Sequence, residues 1–351
     1  MITRLNRYLA VIFLQRLLVT VFAMVVLLGV LDALGNADLL PDDAGLGGHL
    51  RYMALRMPIL FDRVLLFALL LALLMSYVTL IRRGELVVMA ATGLSVFGQI
   101  RAMLPAVLLA TALSALLIDR VNPVAQRALE DWLGAEALRG DSQDPEVLWL
   151  ADEDTLVEIA GIEGGRLRGI TLFHRADGGR IAAVTTAEAA RPLIGGWALE
   201  NPVQLRFDGS AEPAPAVWFS DQTLHTLRLL MAAPRDIAMA DLWRLSQMTR
   251  SGSRPSAAYR VWLLARLSLP LVAIAFLVFA VPLMQHFGRR DSGDLALAGG
   301  MLTGFAFMIA DGVIKTLAES GTVGALPAVL APAGCLALVG LWLARRRAGL
   351  R

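Results

Sequence analysis

The sequence has few of the residues on which soluble globular proteins depend. It contains one cysteine, Cys335, and one lysine, Lys315, in 351 residues, and only 18% of its residues are charged. One cysteine excludes a disulfide within the chain, and a soluble globular protein has about 25% charged residues. A short signal peptide with a small-residue cleavage site is not expected either, because the first apolar stretch is long enough to be retained as a membrane span. These shortages argue against a soluble protein with one large core.

Catalytic motifs are also missing. A Walker A loop, G-x-x-x-x-G-K-[ST], places its lysine on the phosphates of ATP. Lys315 is followed by Thr316, but Ile314 stands where the glycine should be. The patterns H-E-x-x-H and G-x-S-x-G and a Cys–His pair are absent, and the four histidines are scattered. We therefore predict no catalytic or metal site and no nucleic-acid partner, and any ATP-driven work has to come from another chain.

Long uncharged runs are what the sequence does have. A bilayer core of about 30 Å needs about 20 helical residues, and the shorter runs reach that length when flanking cationic side chains extend to the interface. The runs are Leu17–Leu31, Val64–Ile81, Ala102–Ile118, Leu267–Gln285, Leu295–Ala310 and Ala325–Ala344. They predict an α-helical membrane protein with six transmembrane helices, three on each side of a central region.

The basic residues are unevenly distributed between the segments that join these runs. If both termini are cytoplasmic, the short inner segments hold twelve basic residues and the short outer segments hold four. Cytoplasmic segments of membrane proteins carry the excess of Lys and Arg. We therefore predict that both termini are cytoplasmic.

The central region, residues 121–258, differs in composition from the rest. It has 13 Arg and 19 Asp or Glu, a net charge of −6, whereas the remaining chain sums to +8. Short alternating segments such as VLWLA, TLVEIAGI and LRGITLFH are separated by Gly-Gly and Asp-Gly pairs. This pattern predicts an inserted all-β domain, a sandwich or jelly roll, between membrane domains at residues 1–120 and 259–351. Because it follows the third span, it is expected on the periplasmic side of a Gram-negative cell.

The stretch RRGELVVMAATGLS lies between the second and third predicted spans. Its acid suits the positive end of a helix dipole, and apolar residues follow at helical spacing. A short helix at about residues 83–97 can lie flat among lipids, or it can act as a coupling helix that fits a groove on a cytoplasmic motor domain. The residues assigned to coupling are Glu85, Leu86, Met89, Ala90, Gly93 and Leu94. In the coupling interpretation, Glu85 pairs with a basic residue of the motor.

Three segments carry a family resemblance. GELVVMAATGLS contains an ELVVM-x-A-S-G-like pattern, AYRVWLLARLSLPL (Ala258–Leu271) precedes the fourth span, and GFAFMIADGVIKTLAESGTVGALPAVLAP (Gly304–Pro332) joins the fifth and sixth spans. Together with six spans divided three and three by a β domain, they resemble the lipopolysaccharide export permeases of the LptF/LptG family, and the LptG type in particular. The likeness covers nearly the whole chain, with the β domain matching mainly in layout.

The resemblance implies the membrane half of an ABC transporter. In that family a second LptF/LptG-type permease pairs with the first, and a dimer of a cytoplasmic ABC ATPase docks beneath them. ATP and Mg²⁺ bind to the ATPase, so no cofactor is expected in this chain. The complex extracts lipopolysaccharide from the inner membrane and passes it to periplasmic jelly-roll bridge proteins. From the residues alone, the alternative is a non-transporting membrane scaffold or sensor with a periplasmic β binding module.

Lipopolysaccharide has acidic head groups, so a permease needs cations near its outer surface. Arginine makes bidentate phosphate contacts and lysine supplies a point charge. The predicted lipid head-group ligands are Arg51, Arg56, Arg63 and Lys315. Simpler interpretations remain open, because Asp62 and Arg63 can form an interfacial pair, and Asp311 and Lys315 have the four-residue spacing of a helical ion pair.

Overall fold

A computed structural model describes residues 2–40, 45–134, 147–152, 155–175, 180–207, 214–248, 252, 254–287 and 293–348. The helices are α1 (Ile2–Gly35), α2 (Gly45–Arg82), α3 (Glu85–Ala91), α4 (Val96–Leu133), α5 (Leu224–Met231), α6 (Met239–Gln247), α7 (Ser256–Leu267), α8 (Leu269–Phe287), α9 (Gly293–Glu319) and α10 (Ala325–Ala348). The strands are β1 (Leu148–Asp152), β2 (Thr155–Glu163), β3 (Arg166–Arg175), β4 (Ile181–Leu193), β5 (Gly196–Glu200), β6 (Val203–Arg206) and β7 (Val217–Phe219). Two 3-10 turns cover Ala37–Leu39 and Pro234–Asp236.

Six of these helices, α1, α2, α4, α8, α9 and α10, are long and apolar enough to cross a membrane. This confirms the predicted six spans. Helices α2 and α4 have 38 residues each. At 1.5 Å per residue each is about 57 Å long, which exceeds a hydrocarbon core of about 30 Å. Both helices are therefore longer than a hydrocarbon core is thick, and Tyr52 and Ile59 of α2 share a buried cluster with Leu129 near the end of α4.

Helix α8 lies at the centre of the bundle, where it packs against α2, α4 and α10. Its buried Phe276 and Met284 belong to the same core as Leu73 and Tyr77 of α2. The approach of α10 to α8 depends on Gly340, because a Cβ at that position would lie 2.4 Å from the backbone oxygen of Val278. Small residues commonly allow such close helix contacts in membranes.

The strands form one antiparallel seven-stranded sheet in the order β1-β2-β3-β4-β5-β7. The 13-residue β4 pairs with β3 along one edge, and along the other edge it pairs with both β5 and β6. One face of the sheet is covered by α5 and α6, whose buried Leu227 and Leu242 join a core with Val157, Ile170 and Trp197. An antiparallel β domain between two groups of membrane helices is therefore confirmed.

Helices occupy both ends of the interval that was predicted as all-β. Helix α4 continues to Leu133, and α5, α6 and the start of α7 follow the sheet. The end of α4 buries Ile118, Asn122, Ala125 and Leu129. Those intervals of four, three and four residues are the period of a helix face and not of a strand. This periodicity was missed because charged residues lie among the apolar ones. Residues 121–258 therefore contain both helices and strands, and the sheet spans 148–219.

Candidate functional site

Helix α3 is a seven-residue helix between two glycines that have left-handed backbone conformations. Gly84 before it has φ 70°, and Gly93 after it has φ 82°. A Cβ at either position would meet no atom within 4 Å, so the backbone conformation and not the available space favours glycine there. The side chain of Ser95 then accepts a hydrogen bond from a backbone N–H in the first turn of α4. The predicted short helix is thus present, and it is shorter than the 83–97 expected.

The inner face of α3 packs against the helix bundle. Met89 is buried in the bundle core, and Leu86 and Leu94 pack against it. Ala90 is half-buried. Three residues that the sequence assigned to partner contact, Leu86, Met89 and Leu94, therefore hold α3 in place within this chain.

The outer face of α3 carries apolar side chains that the sequence analysis did not assign. Val87 is 69% exposed and Val88 is 63% exposed. Gly93 at the end of the helix is also exposed. At 3.6 residues per turn, Val87 lies about 160° and Val88 about 100° from Met89 around the helix, and this spacing could have identified the exposed face. Two adjacent exposed valines form a small apolar surface on a segment whose backbone is fixed.

Glu85 is held by a residue of α1. The hydroxyl of Tyr8 donates to the Glu85 carboxylate and lies 2.7 Å from both of its oxygens. Arg83 Nη1 lies 3.4 Å from the Tyr8 hydroxyl and 3.9 Å from Oε1 of Glu85. The three side chains attach the start of α3 to α1, and Glu85 remains 28% exposed.

The sheet domain joins the bundle about one membrane thickness away from α3. Its connector, residues 232–238 between α5 and α6, contacts α2 through Arg235, whose Nε donates to Asp62 Oδ2 at 2.8 Å. Asp62 precedes Arg82 by 20 residues on the same helix, a distance of about 30 Å along its axis. A hydrocarbon core is also about 30 Å thick, so the connector and α3 are separated along α2 by about the thickness of such a core.

A buried arginine on α7 holds the connector. Arg266 is 6% exposed and donates to the backbone oxygens of Arg235 and Ile237 at 2.5 Å each. Asp119 of α4 lies 3.4 Å from Arg266 Nη1 and accepts the backbone N–H of Met239 at 2.6 Å. This junction was not predicted from the sequence. The available signal was one arginine within the apolar run VWLLARLSLPL, since buried charges require partners.

Two of the four predicted head-group cations are already paired. Arg56 makes a bidentate contact with Asp32, with Nε to Oδ2 and Nη2 to Oδ1 both 2.8 Å, and the hydroxyl of Tyr52 donates to the same carboxylate at 2.9 Å. Lys315 Nζ lies 2.6 Å from Asp311 Oδ2, as expected from their four-residue spacing. Both pairs are largely withdrawn from solvent, with each side chain less than 20% exposed.

The other two predicted cations are exposed. Arg63 is exposed two helical turns after Arg56 on the same side of α2. Its neighbour Asp62 pairs with Arg235 of the connector, so the expected Asp62–Arg63 pair is not the contact that forms. Arg51 is also exposed, and its guanidinium carbon lies 4.5 Å from the ring centre of Trp132 on α4.

Trp262 of α7 links the connector to α9. The ring centre of Trp262 is 5.2 Å from the guanidinium carbon of Arg235 and 5.8 Å from Lys315 Nζ, distances at which a cation is attracted to an aromatic ring. Its indole N–H donates to Glu319. Across the described residues, no group of three His, Cys, Asp or Glu is arranged to hold a metal ion. At this end of the bundle the cations lie among aromatic rings, and most of them are paired with carboxylates such as Asp32, Asp62 and Asp311.

Comparison with known proteins assigns these features to one family. The family model for the lipopolysaccharide export system permease LptF/LptG matches residues 7–346. The lipopolysaccharide export system permease protein LptG of Escherichia coli strain K12 is 23% identical over 363 residues, which cover 98% of each chain. The protein of the same name from Escherichia coli O6:H1, strain CFT073, gives the same values. Since the matched residues include all six membrane helices and the sheet domain, the chain belongs to the LptF/LptG family of lipopolysaccharide export system permeases.

Proposed function

We propose that this chain is the permease subunit of an ABC transporter that extracts lipopolysaccharide from the inner membrane and passes it to a periplasmic bridge toward the outer membrane. Family membership makes the chain a multi-pass inner-membrane permease of the lipopolysaccharide export system. The observation that carries the finer proposal is α3, whose inner face is fixed to the bundle while Val87 and Val88 are exposed.

The outer face of α3 is the proposed docking point for a cytoplasmic ABC ATPase dimer. Helices bind grooves on partner proteins through an exposed apolar surface, and Val87 and Val88 supply that surface on α3. Leu86 and Met89 fix α3 to the bundle, so a force applied by the ATPase would reach α1 and α2 instead of bending a free loop. ATP and Mg²⁺ would bind to the ATPase, and this chain would contribute the transmission of its movement.

The proposed orientation has both termini and α3 in the cytoplasm and the sheet domain in the periplasm. Two observations support it. The basic residues of the short connecting segments divide twelve to four in favour of that arrangement. The connector and α3 are separated by about one hydrocarbon thickness along α2. The sheet domain would then face the periplasmic bridge proteins.

Lipopolysaccharide would first meet Arg63 and Arg51, which are exposed at the connector end of α2. Arg56 and Lys315 can contact a head-group phosphate only when the phosphate replaces or joins their carboxylate partners. Phosphate oxygens can do so because they accept charge-assisted hydrogen bonds as carboxylates do. A second LptF/LptG-type permease would complete the lipid cavity.

Docking can be tested by co-purification of the ATPase with the double variant Val87→Asp/Val88→Asp. Losing two apolar anchors and placing two charges in the groove should lower ATPase recovery by about tenfold or more. The matched control is Leu205→Asp, which changes an apolar residue that is 63% exposed on the sheet domain. The same variants in proteoliposomes should lose ATP-dependent lipopolysaccharide release in parallel. Equal ATPase recovery from the double variant and the control would reject α3 as the docking point.

A further inference from the structure

A cavity of about 340 Å³ lies between α1, α2 and α9 at the membrane end that carries α3. Three arginines, Arg16, Arg82 and Arg83, line it together with the apolar side chains of Met75, Val78 and Leu297. No carboxylate is among its lining residues within the part of the chain that the structure describes. We call this cavity the basic pocket.

The arginines of the basic pocket are weakly neutralised. Arg82 pairs with Asp294 at 2.9 Å, but both side chains are at least 70% exposed. Arg83 lies 3.9 Å from Glu85. Arg16 is half-buried and makes no ion pair with any residue in the described ranges. Since exposed ion pairs contribute little free energy, an anion in the pocket could replace Asp294 at Arg82 at small cost, and at Arg16 it would displace no carboxylate of the described residues.

The pocket lies at the depth of lipid head groups. Arg82 ends α2, and Met75 and Val78 lie one to two turns nearer the membrane centre. From Arg16, α1 continues into the membrane with exposed apolar residues such as Val19 and Phe22. A volume of 340 Å³ is at the low end for a ligand site, so it suits a head group whose acyl chains lie along the outer surface of α1.

We propose that the basic pocket binds the phosphate-bearing head group of an anionic phospholipid from the leaflet next to α3. Basic pockets between membrane helices on the cytoplasmic side are suited to such head groups because guanidinium groups contact phosphate in bidentate geometry. The bound phospholipid is distinct from the transported lipopolysaccharide, which approaches Arg63 at the other membrane face. The inference depends on the membrane placement of the helices and does not depend on transport activity. A phospholipid bound in the basic pocket would contact α1, α2 and α9 together, next to α3.

The test is native mass spectrometry of the full-length protein in mild detergent, titrated with phosphatidylglycerol or phosphatidylcholine. The wild-type protein should retain phosphatidylglycerol preferentially. Arg16→Gln should lower its affinity by about fivefold, the effect of removing one basic residue near a charged lipid surface. Arg16→Lys keeps the charge and should retain most of the binding. Arg101→Gln, which removes an exposed arginine of α4 outside the pocket, should leave the affinity unchanged.

Four results would overturn the proposal. They are equal retention of both phospholipids by the wild-type protein, equal affinities of the Arg16→Gln and Arg101→Gln variants, displacement of bound phosphatidylglycerol by inorganic phosphate, and displacement by lipopolysaccharide. Displacement by phosphate would identify a site for soluble anions, and displacement by lipopolysaccharide would identify part of the transport path. If Arg16→Gln fails to fold, the lipid comparison and both competition experiments on the wild-type protein still decide the outcome.

Discussion

The hydroxyl of Tyr8 lies 2.7 Å from both carboxylate oxygens of Glu85, and this contact joins α1 to α3 across 77 positions of sequence. The spacing of residues within α3 could not have indicated it, because the two residues lie on separate elements. Glu85 therefore has a structural partner within its own chain. We therefore expect Glu85 to position α3, and we expect Val87 and Val88 to contact the ATPase.

A double-mutant cycle separates these roles of Glu85. Tyr8→Phe and Glu85→Gln should each weaken ATPase co-purification, because each loosens the attachment of α3. If Glu85 acts through Tyr8, the double variant should be no worse than the more affected single variant, with a coupling energy of about 1 kcal/mol. Additive losses of ATPase affinity would instead show that Glu85 contacts the ATPase directly.

The four predicted head-group cations should not contribute equally to lipid capture. Arg63→Ala should reduce photocrosslinking to lipopolysaccharide more than Arg56→Ala, because Arg63 is exposed and Arg56 is bound to Asp32. Arg56→Ala should instead lower the free energy of unfolding, by about 1–3 kcal/mol, because it leaves a half-buried carboxylate with one partner. Lys315→Gln should resemble Arg56→Ala, since Asp311 is its partner. Crosslinking yield and thermal unfolding are measured on the same preparations, and a larger crosslinking loss in Arg56→Ala than in Arg63→Ala would contradict this ranking.

The connector should depend on Arg266 for its attachment to the bundle. Arg266→Met removes both hydrogen bonds to the connector and leaves Asp119 without its cation, so the free energy of unfolding should fall by about 2–4 kcal/mol. Limited proteolysis should also cut the connector faster. Arg260→Met is the matched control on α7, because Arg260 is exposed and bonds only Ser256 four residues away among the described contacts. Similar unfolding midpoints for both variants would mean that the junction does not stabilise the protein.

The sheet domain should lose stability in mild acid through His174. Burial, and then repulsion from Arg206, lower the pKa of His174 below its ordinary value. The unfolded chain therefore binds a proton more readily than the folded chain, and the free energy of unfolding rises with pH in this range. The stabilisation that neutral His174 contributes is complete above about pH 6.5, the pKa of an unperturbed histidine. It is lost as the pH falls through the pKa that His174 has in the folded protein.

The measurement for His174 is the unfolding midpoint at pH 7.5 and pH 5.5. The wild-type protein should lose more stability between these values than His174→Gln. His49→Gln, which changes an exposed histidine at the start of α2, should behave like the wild type. Parallel pH profiles for the wild-type and His174→Gln proteins would rule out this histidine as the cause.

Elements whose apolar residues form long runs or repeat clearly at the spacing of a helix or strand were predicted correctly, and elements with a weak repeat were not. The six spans follow from apolar runs whose length alone matches a bilayer, and the strands follow from alternation bounded by glycine pairs. The end of α4 was missed because its helical period is carried by few apolar residues among charged ones. Within α3 the helix was correctly predicted, but Leu86 and Met89, which were assigned to partner contact, pack against the bundle, while Val87 and Val88 are exposed. Seven residues contain too few positions to fix the rotation of a helix about its axis.

By itself the sequence determined that this chain has six membrane spans, that it carries a separate β domain, and that it lacks the Walker A pattern. These properties depend on composition and on periods within single segments. Only the tertiary structure decided which cations are free and which are paired, that Arg266 holds the connector, and that Tyr8 holds Glu85. Each of those contacts joins residues on different helices or depends on the relative rotation of neighbouring helices, and packing of the whole chain sets both.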